Sequence, residues 1–80
     1  MRNYHLVSYL ANLANTARDE FAKNCGTTPG YLKQIAYGNR KCNASLAIQI
    51  DKHSGGKVSC DSLCPDVDFD YIRNQTHLIA

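Results

Sequence analysis

The chain has no tryptophan, two prolines, one methionine and two phenylalanines in 80 residues. So few bulky anchors leave material for one small core and no second domain. No apolar run approaches the roughly 18 residues that a membrane span requires. The opening Met-Arg-Asn-Tyr-His has no cationic region running into an apolar core, so no signal peptide is expected and the reading is cytoplasmic. The four cysteines, Cys25, Cys42, Cys60 and Cys64, form no C-x-x-C pair. His5, His53 and His77 lack the spacing of a zinc site. Reduced thiols, no metal and no cofactor are therefore expected, with Cys25 a small core residue. Paired carboxylates suited to acid–base chemistry are also missing. His53 and Cys25 fall on different helices with no third group to orient them, so an enzyme is disfavoured.

Carboxylates are scarce over most of the chain. Residues 1–57 carry eight Lys/Arg against three Asp/Glu, a net of +5, and residues 58–80 carry Arg73 against four Asp, a net of −3. A basic body with an acidic tail suits a polyanionic partner, although an ordinary solvated surface has the same composition.

What is abundant is helix punctuation. Leu6, Leu10, Leu13 and Ala14 repeat at helical spacing and predict a first helix over about Asn3 to Ala14. Thr16 is a candidate cap for a second helix, which turns Phe21, Ala22 and Cys25 inward and stops at Gly26. Thr28-Pro29 opens a third, with Leu32, Ile35 and Ala36 inward and Gly38-Asn39 at its end. Asn43 opens a fourth, closed by Ser54-Gly55-Gly56, and Ser59 one further turn stopped by Pro65. Asp66 to Tyr71 alternates polar and apolar, which reads either as a half-buried strand paired with a second subunit through Val67, Phe69 and Tyr71, or as a loosely packed tail. The expected organisation is an all-α bundle of about five short helices over residues 1–65, followed by a tail over 66–80.

The stretch FAKNCGTTPGYLKQIAYG, Phe21 to Gly38, has the glycines of a phosphate loop without its Gly-Lys-Ser/Thr or its preceding strand. It fits a helix-turn-helix instead. Ala22 supplies the small residue where two helices cross, and Gly26 reverses the chain. Leu32 and Ile35 bury one face of the second helix, leaving Gly30, Tyr31, Lys33, Gln34 and Tyr37 outward. Gln can bind adenine through two hydrogen bonds, Lys can donate to guanine, and Tyr can reach a phosphate or a thymine methyl. Gly30 would let the backbone approach DNA closely. Asn39, Arg40, Lys41 and Asn43 form a basic, amide-rich loop suited to the sugar-phosphate backbone. Arg18 adds a cation, and the helix starts at Thr16 and Thr28 offer N–H groups to phosphates.

These residues resemble a known family. RDEFAKNCGTTPGYLKQIAYGNRK is similar to the helix-turn-helix of phage Cro and repressor proteins, most closely the YdaS-like, Cro-related family. The likeness continues through SLAIQIDKHSGGKVSCDSLCPD and covers roughly Thr16 to Asp66. It rests on the frame Ala-x3-Gly-x5-Leu-x2-Ile and on the ending Gly-Gly-x-Val-x4-Leu-x-Pro-Asp. Thr27 stands where relatives often carry an apolar residue, and Cys42, Ala44 and Ser45 where they often carry proline and glutamate.

The resemblance implies a five-helix, lambda-repressor-like domain of a prophage-encoded repressor. Thr28, Pro29 and Gly30 would start the recognition helix, with Tyr31, Lys33, Gln34 and Tyr37 toward the groove. Arg40 and Asn43 would lie in the loop beside the backbone. The expected partner is a double-stranded operator, an inverted repeat bound by a homodimer. The alternative is an antitoxin-like interaction module that grips a toxin or other partner protein.

Overall fold

Every helix start but one is set by a short polar side chain. In the computed structural model, which describes residues 2–71, α1 spans Tyr4–Ala11 and Asn3 Oδ1 accepts from the Leu6 N–H at 3.1 Å. α3, Pro29–Ala36, is capped by Thr28 Oγ1, which accepts from the Tyr31 N–H at 3.2 Å. α4, Ala44–His53, is capped by Asn43 Oδ1 on the Leu46 N–H at 2.8 Å. α5, Cys60–Leu63, is capped by Ser59 Oγ on the Ser62 N–H at 3.2 Å. Each acceptor satisfies one of the N–H groups that a helix leaves unpaired at its start.

The exception is α2, Asn15–Asn24, which follows Ala14 without a side-chain cap. Thr16 therefore does not cap this helix. Its first intrahelical bond, Arg18 N–H to the Ala14 carbonyl at 2.8 Å, places Thr16 inside the first turn, exposed.

α1 also ends earlier than its apolar spacing suggests. The chain leaves the helix at Asn12, and Leu13 is half-buried against the core from outside it. The reason is tertiary. Arg18 of α2 reaches back, its Nε donating to the Leu10 carbonyl at 3.0 Å and Nη2 to the Leu13 carbonyl at 2.9 Å. A cation on the last carbonyls of a helix pairs acceptors that the helix cannot, and favours the dipole.

α2 and α3 meet through a tight reversal. Ala22 has no exposed surface. Gly26 takes φ +78°, and the N–H groups of Gly26 and Thr27 return to the carbonyls of Lys23 and Ala22. This doubly bonded end needs a left-handed residue that glycine adopts without strain. A Cβ there would meet nothing within 4 Å, so conformation rather than crowding requires the glycine.

The core joins α1 to α4. Leu6, Leu32, Ile50 and Val58 are its largest fully buried side chains, and the Tyr9 and Phe21 rings meet at 5.1 Å. A second cluster of Ala47, Cys60, Cys64 and Phe69 fastens α5 and the following residues to α4.

Of the two readings of Asp66 to Tyr71, a strand or a loosely packed tail, the strand is not formed. Residues 65–68 turn and residues 69–71 are helical, with Asp68 Oδ1 accepting from the Tyr71 N–H at 3.0 Å. An aspartate in that position behaves as a helix cap, which overrides a period-2 pattern of six residues. Phe69 is 3% exposed and Val67 packs beside it, both in the second cluster of the same chain, while Tyr71 is 59% exposed. The body thus extends past residue 65, and the rest of the expected tail, residues 72–80, lies outside the described residues. No strand occurs among the described residues, and no helix there is long and apolar enough to cross a membrane.

Candidate nucleic-acid interface

α3 divides cleanly into two faces. Leu32, Ile35 and Ala36 are buried, and Thr28, Gly30, Lys33, Gln34 and Tyr37 are exposed. Pro29 is half-buried. Tyr31 is half-buried as well and packs against the core, so it is less free than its spacing suggests. It borders a hollow shared with Thr27, Asn43 and Gln49.

Gly30 has no duty within the fold. It is absent from the glycines with positive φ, and a Cβ there would meet nothing within 4 Å. A glycine in a helix where alanine fits costs stability, so its lack of a side chain is available for contacts outside the chain.

The turn after α3 folds back on Gln34. The N–H groups of Asn39 and Arg40 reach the Gln34 carbonyl at 2.8 and 3.3 Å. Arg40 Nε donates to Gln34 Oε1 at 3.1 Å, which brings together a residue expected at the bases and one expected at the backbone. Asn39, Arg40, Lys41 and Asn43 are all exposed, although Asn43 commits its side-chain oxygen to capping α4.

Two groups of cations flank this helix. At its start, Arg18, Gly30 and Lys33 border one cleft of about 320 Å³ between α1 and α3. Arg18 sits on the expected side, but its Nε and Nη2 are engaged by α1 carbonyls, so its first role is structural. At the other end, Arg2, Gly38, Arg40 and Lys41 border another hollow.

Arg2 was not among the residues singled out by sequence. Its guanidinium lies 5.0 Å from the centre of the Tyr37 ring, a cation–π arrangement. The neighbouring Asn3 N–H donates to the Ala36 carbonyl at 2.8 Å. Docking of the N-terminal segment on the end of α3 is a tertiary contact, and its only sequence signal was the charge of Arg2.

The helix-turn-helix segment itself carries charge of one sign over residues 21–50. Residues 21–50 hold Lys23, Lys33, Arg40 and Lys41 and no Asp or Glu. The segment therefore has no carboxylate of its own to neutralise the cations around α3.

Cys42 and Cys25 line the hollows at this surface, but as protonated thiols. Burial pushes Cys42 up to about 12, with Cys64 and Cys25 adding to the shift, and burial also raises Cys25 and Cys64. At neutral pH these three remain thiols, and the Cys64 Sγ–H donates to the Cys42 carbonyl. Among the described residues no three His, Cys, Asp or Glu side chains gather as a metal site would require.

Among the described residues, five short helices and a further helical turn, with a helix-turn-helix at α2–α3 and a basic surface around the second of these, define a small helical protein of the helix-turn-helix class. Comparison with known proteins places it further. No family model and no solved structure matches the chain. It is 30% identical over 62 residues to a protein of Escherichia coli (strain K12) described as a prophage transcriptional regulatory protein, a match spanning 78% of this chain and 94% of that protein. The chain belongs to this family of prophage transcriptional regulatory proteins.

Proposed function

We propose that the protein binds double-stranded DNA sequence-specifically by laying α3 in the major groove, and that it acts as a repressor of the Cro type by occupying its operator. The observation that carries this reading is the outer face of α3, where Gly30 and Lys33 stand exposed, with Arg18 near the start of the helix and Arg2, Arg40 and Lys41 near its end. An α-helix fits the major groove, and exposed Lys and Gln side chains match base edges there. The similarity to a prophage transcriptional regulatory protein supports the same direction.

In this reading Lys33, Gln34 and Tyr37 face the bases, and the Thr28 hydroxyl with the Gly30 N–H meets a phosphate. Asn39, Arg40, Lys41 and Asn43 approach the backbone. Two copies bound to half-sites about one helical turn apart would read an inverted repeat.

Substitution of the outer face tests the assignment. Lys33→Ala and Gln34→Ala lie on the exposed face and leave the core intact, so both variants fold. Each is expected to weaken binding to a cognate duplex by about 1–3 kcal/mol while nonspecific binding changes less. Unchanged affinity and specificity in both variants would remove α3 as the reading element.

A further inference from the structure

Gln34 and Arg40 are held as a pair by two hydrogen bonds, and Asn39 adds a third to Gln34. The Asn39 and Arg40 N–H groups take the Gln34 carbonyl, and Arg40 Nε takes Gln34 Oε1 at 3.1 Å. The direction of the side-chain bond is fixed by chemistry. A guanidinium has only hydrogens to give, so the amide must turn its oxygen toward Arg40 and leave its NH2 group for a ligand. Both side chains are exposed, and the segment from residue 21 to 50 offers Arg40 no carboxylate.

This pairing changes what Gln34 can recognise. A glutamine reads adenine by accepting from the N6 amino group while donating to N7. Here the accepting atom already receives a charged donor, and the guanidinium brings positive charge to the side where the N6 hydrogens would arrive. Oε1 keeps a second lone pair, but beside a cation it is a poor partner for the N6 hydrogens, and the other groups left over, the Gln34 NH2 and the terminal nitrogens of Arg40, are all donors. Guanine presents two adjacent acceptors, N7 and O6, in the major groove, whereas adenine presents one acceptor and one donor.

We infer that Gln34 and Arg40 act as one donor-rich, positively charged unit that selects guanine over adenine, which makes Arg40 a specificity-determining residue as well as a cation beside the backbone. The inference rests on the DNA-binding reading above and goes further by naming the base. It also sets Arg40 apart from Lys41, which has no such bond to the recognition helix.

Selection of duplexes from a random pool by wild type, Gln34→Ala and Arg40→Ala separates the outcomes, with circular dichroism confirming that each variant is folded. The half-site position read by Gln34 is the one whose preference disappears in Gln34→Ala. Wild type is expected to take guanine there, over adenine by roughly tenfold. Arg40→Ala, which frees the amide oxygen, is expected to shift that position toward adenine. Adenine already preferred by wild type, or an Arg40→Ala variant that weakens all duplexes alike and keeps its guanine, would overturn the inference. Enrichment of no sequence by wild type would instead remove the DNA-binding reading on which it rests.

Discussion

The Asn3 N–H donates to the Ala36 carbonyl at 2.8 Å, tying the residues before α1 to the last turn of α3. The bond holds Arg2 beside the same helix end, with its guanidinium over Tyr37. A cation at a helix C-terminus is favourable in itself, but an exposed guanidinium beside Arg40 and Lys41 also suits a phosphate. Arg2→Ala is expected to lower DNA affinity and to reduce the salt slope by about one unit, measured by duplex titration at several salt concentrations. A slope identical to wild type would make Arg2 a purely structural residue.

Gly30 separates stability from function. Alanine there meets no neighbour and takes an allowed φ, so Gly30→Ala is expected to stabilise the fold by up to about 1 kcal/mol in denaturant titration. The same variant should bind duplex DNA more weakly, because under the proposed docking its methyl group would stand where the backbone of α3 approaches the duplex. A variant that is more stable and binds as tightly as wild type would show that close approach is not needed.

Arg18 and Arg40 are predicted to behave oppositely, although both are cations near α3. Arg18 ties the end of α1 to the residues after it through the Leu10 and Leu13 carbonyls in a partly buried setting, and Arg18→Ala should cost about 1–3 kcal/mol of stability. Arg40→Ala removes an exposed side chain and should change stability by less than about 0.5 kcal/mol. Thermal unfolding of the two variants side by side reads the difference. Equal Tm values would refute the structural role given to Arg18.

The raised thiols predict an alkaline limit to stability. Cys42 titrates near 9 when unfolded and is held near 12 when folded, chiefly by burial, with Cys25 and Cys64 shifted in the same direction. Above pH 9 the unfolded chain has lost protons that the folded chain retains, so stability falls as pH rises from about 9 toward 12 and is unaffected by these groups below that window. Cys42→Ala should flatten that fall when unfolding free energy is followed against pH. A parallel decline in wild type and variant would rule out a contribution from Cys42.

Much of this fold could be read from short-range chemistry. Thr28-Pro29, Asn43 and Ser59 begin helices because a side-chain oxygen and a backbone N–H three residues later suffice, and both lie within the same few residues. Gly26 and Gly38 end helices for an equally local reason, with φ +78° and +82°. The misreadings arise where distant residues decide. Leu13 kept the period of α1, yet Arg18 of the next helix takes the α1 carbonyls and the chain turns at Asn12. Asp66 to Tyr71 alternated like a strand, yet Phe69 finds its pocket on α4 and α5, and Asp68, a local cap that the alternation masked, starts a helical turn there. At the candidate site, the exposed side of α3 followed from the spacing of Leu32 and Ile35. Neither the docking of Arg2 nor the Gln34–Arg40 bond has a periodic signature, since each depends on how the chain ends and turns in space.

The most direct measurement is the sequence content of duplexes captured from a random pool by the wild-type protein, followed by titration of the enriched duplex against salt. The expected result is an inverted repeat with half-sites about one helical turn apart, bound with an affinity that falls steeply as salt rises. A pool that stays random through repeated rounds, with no salt-dependent binding to any duplex, would contradict the assignment of α3 to DNA.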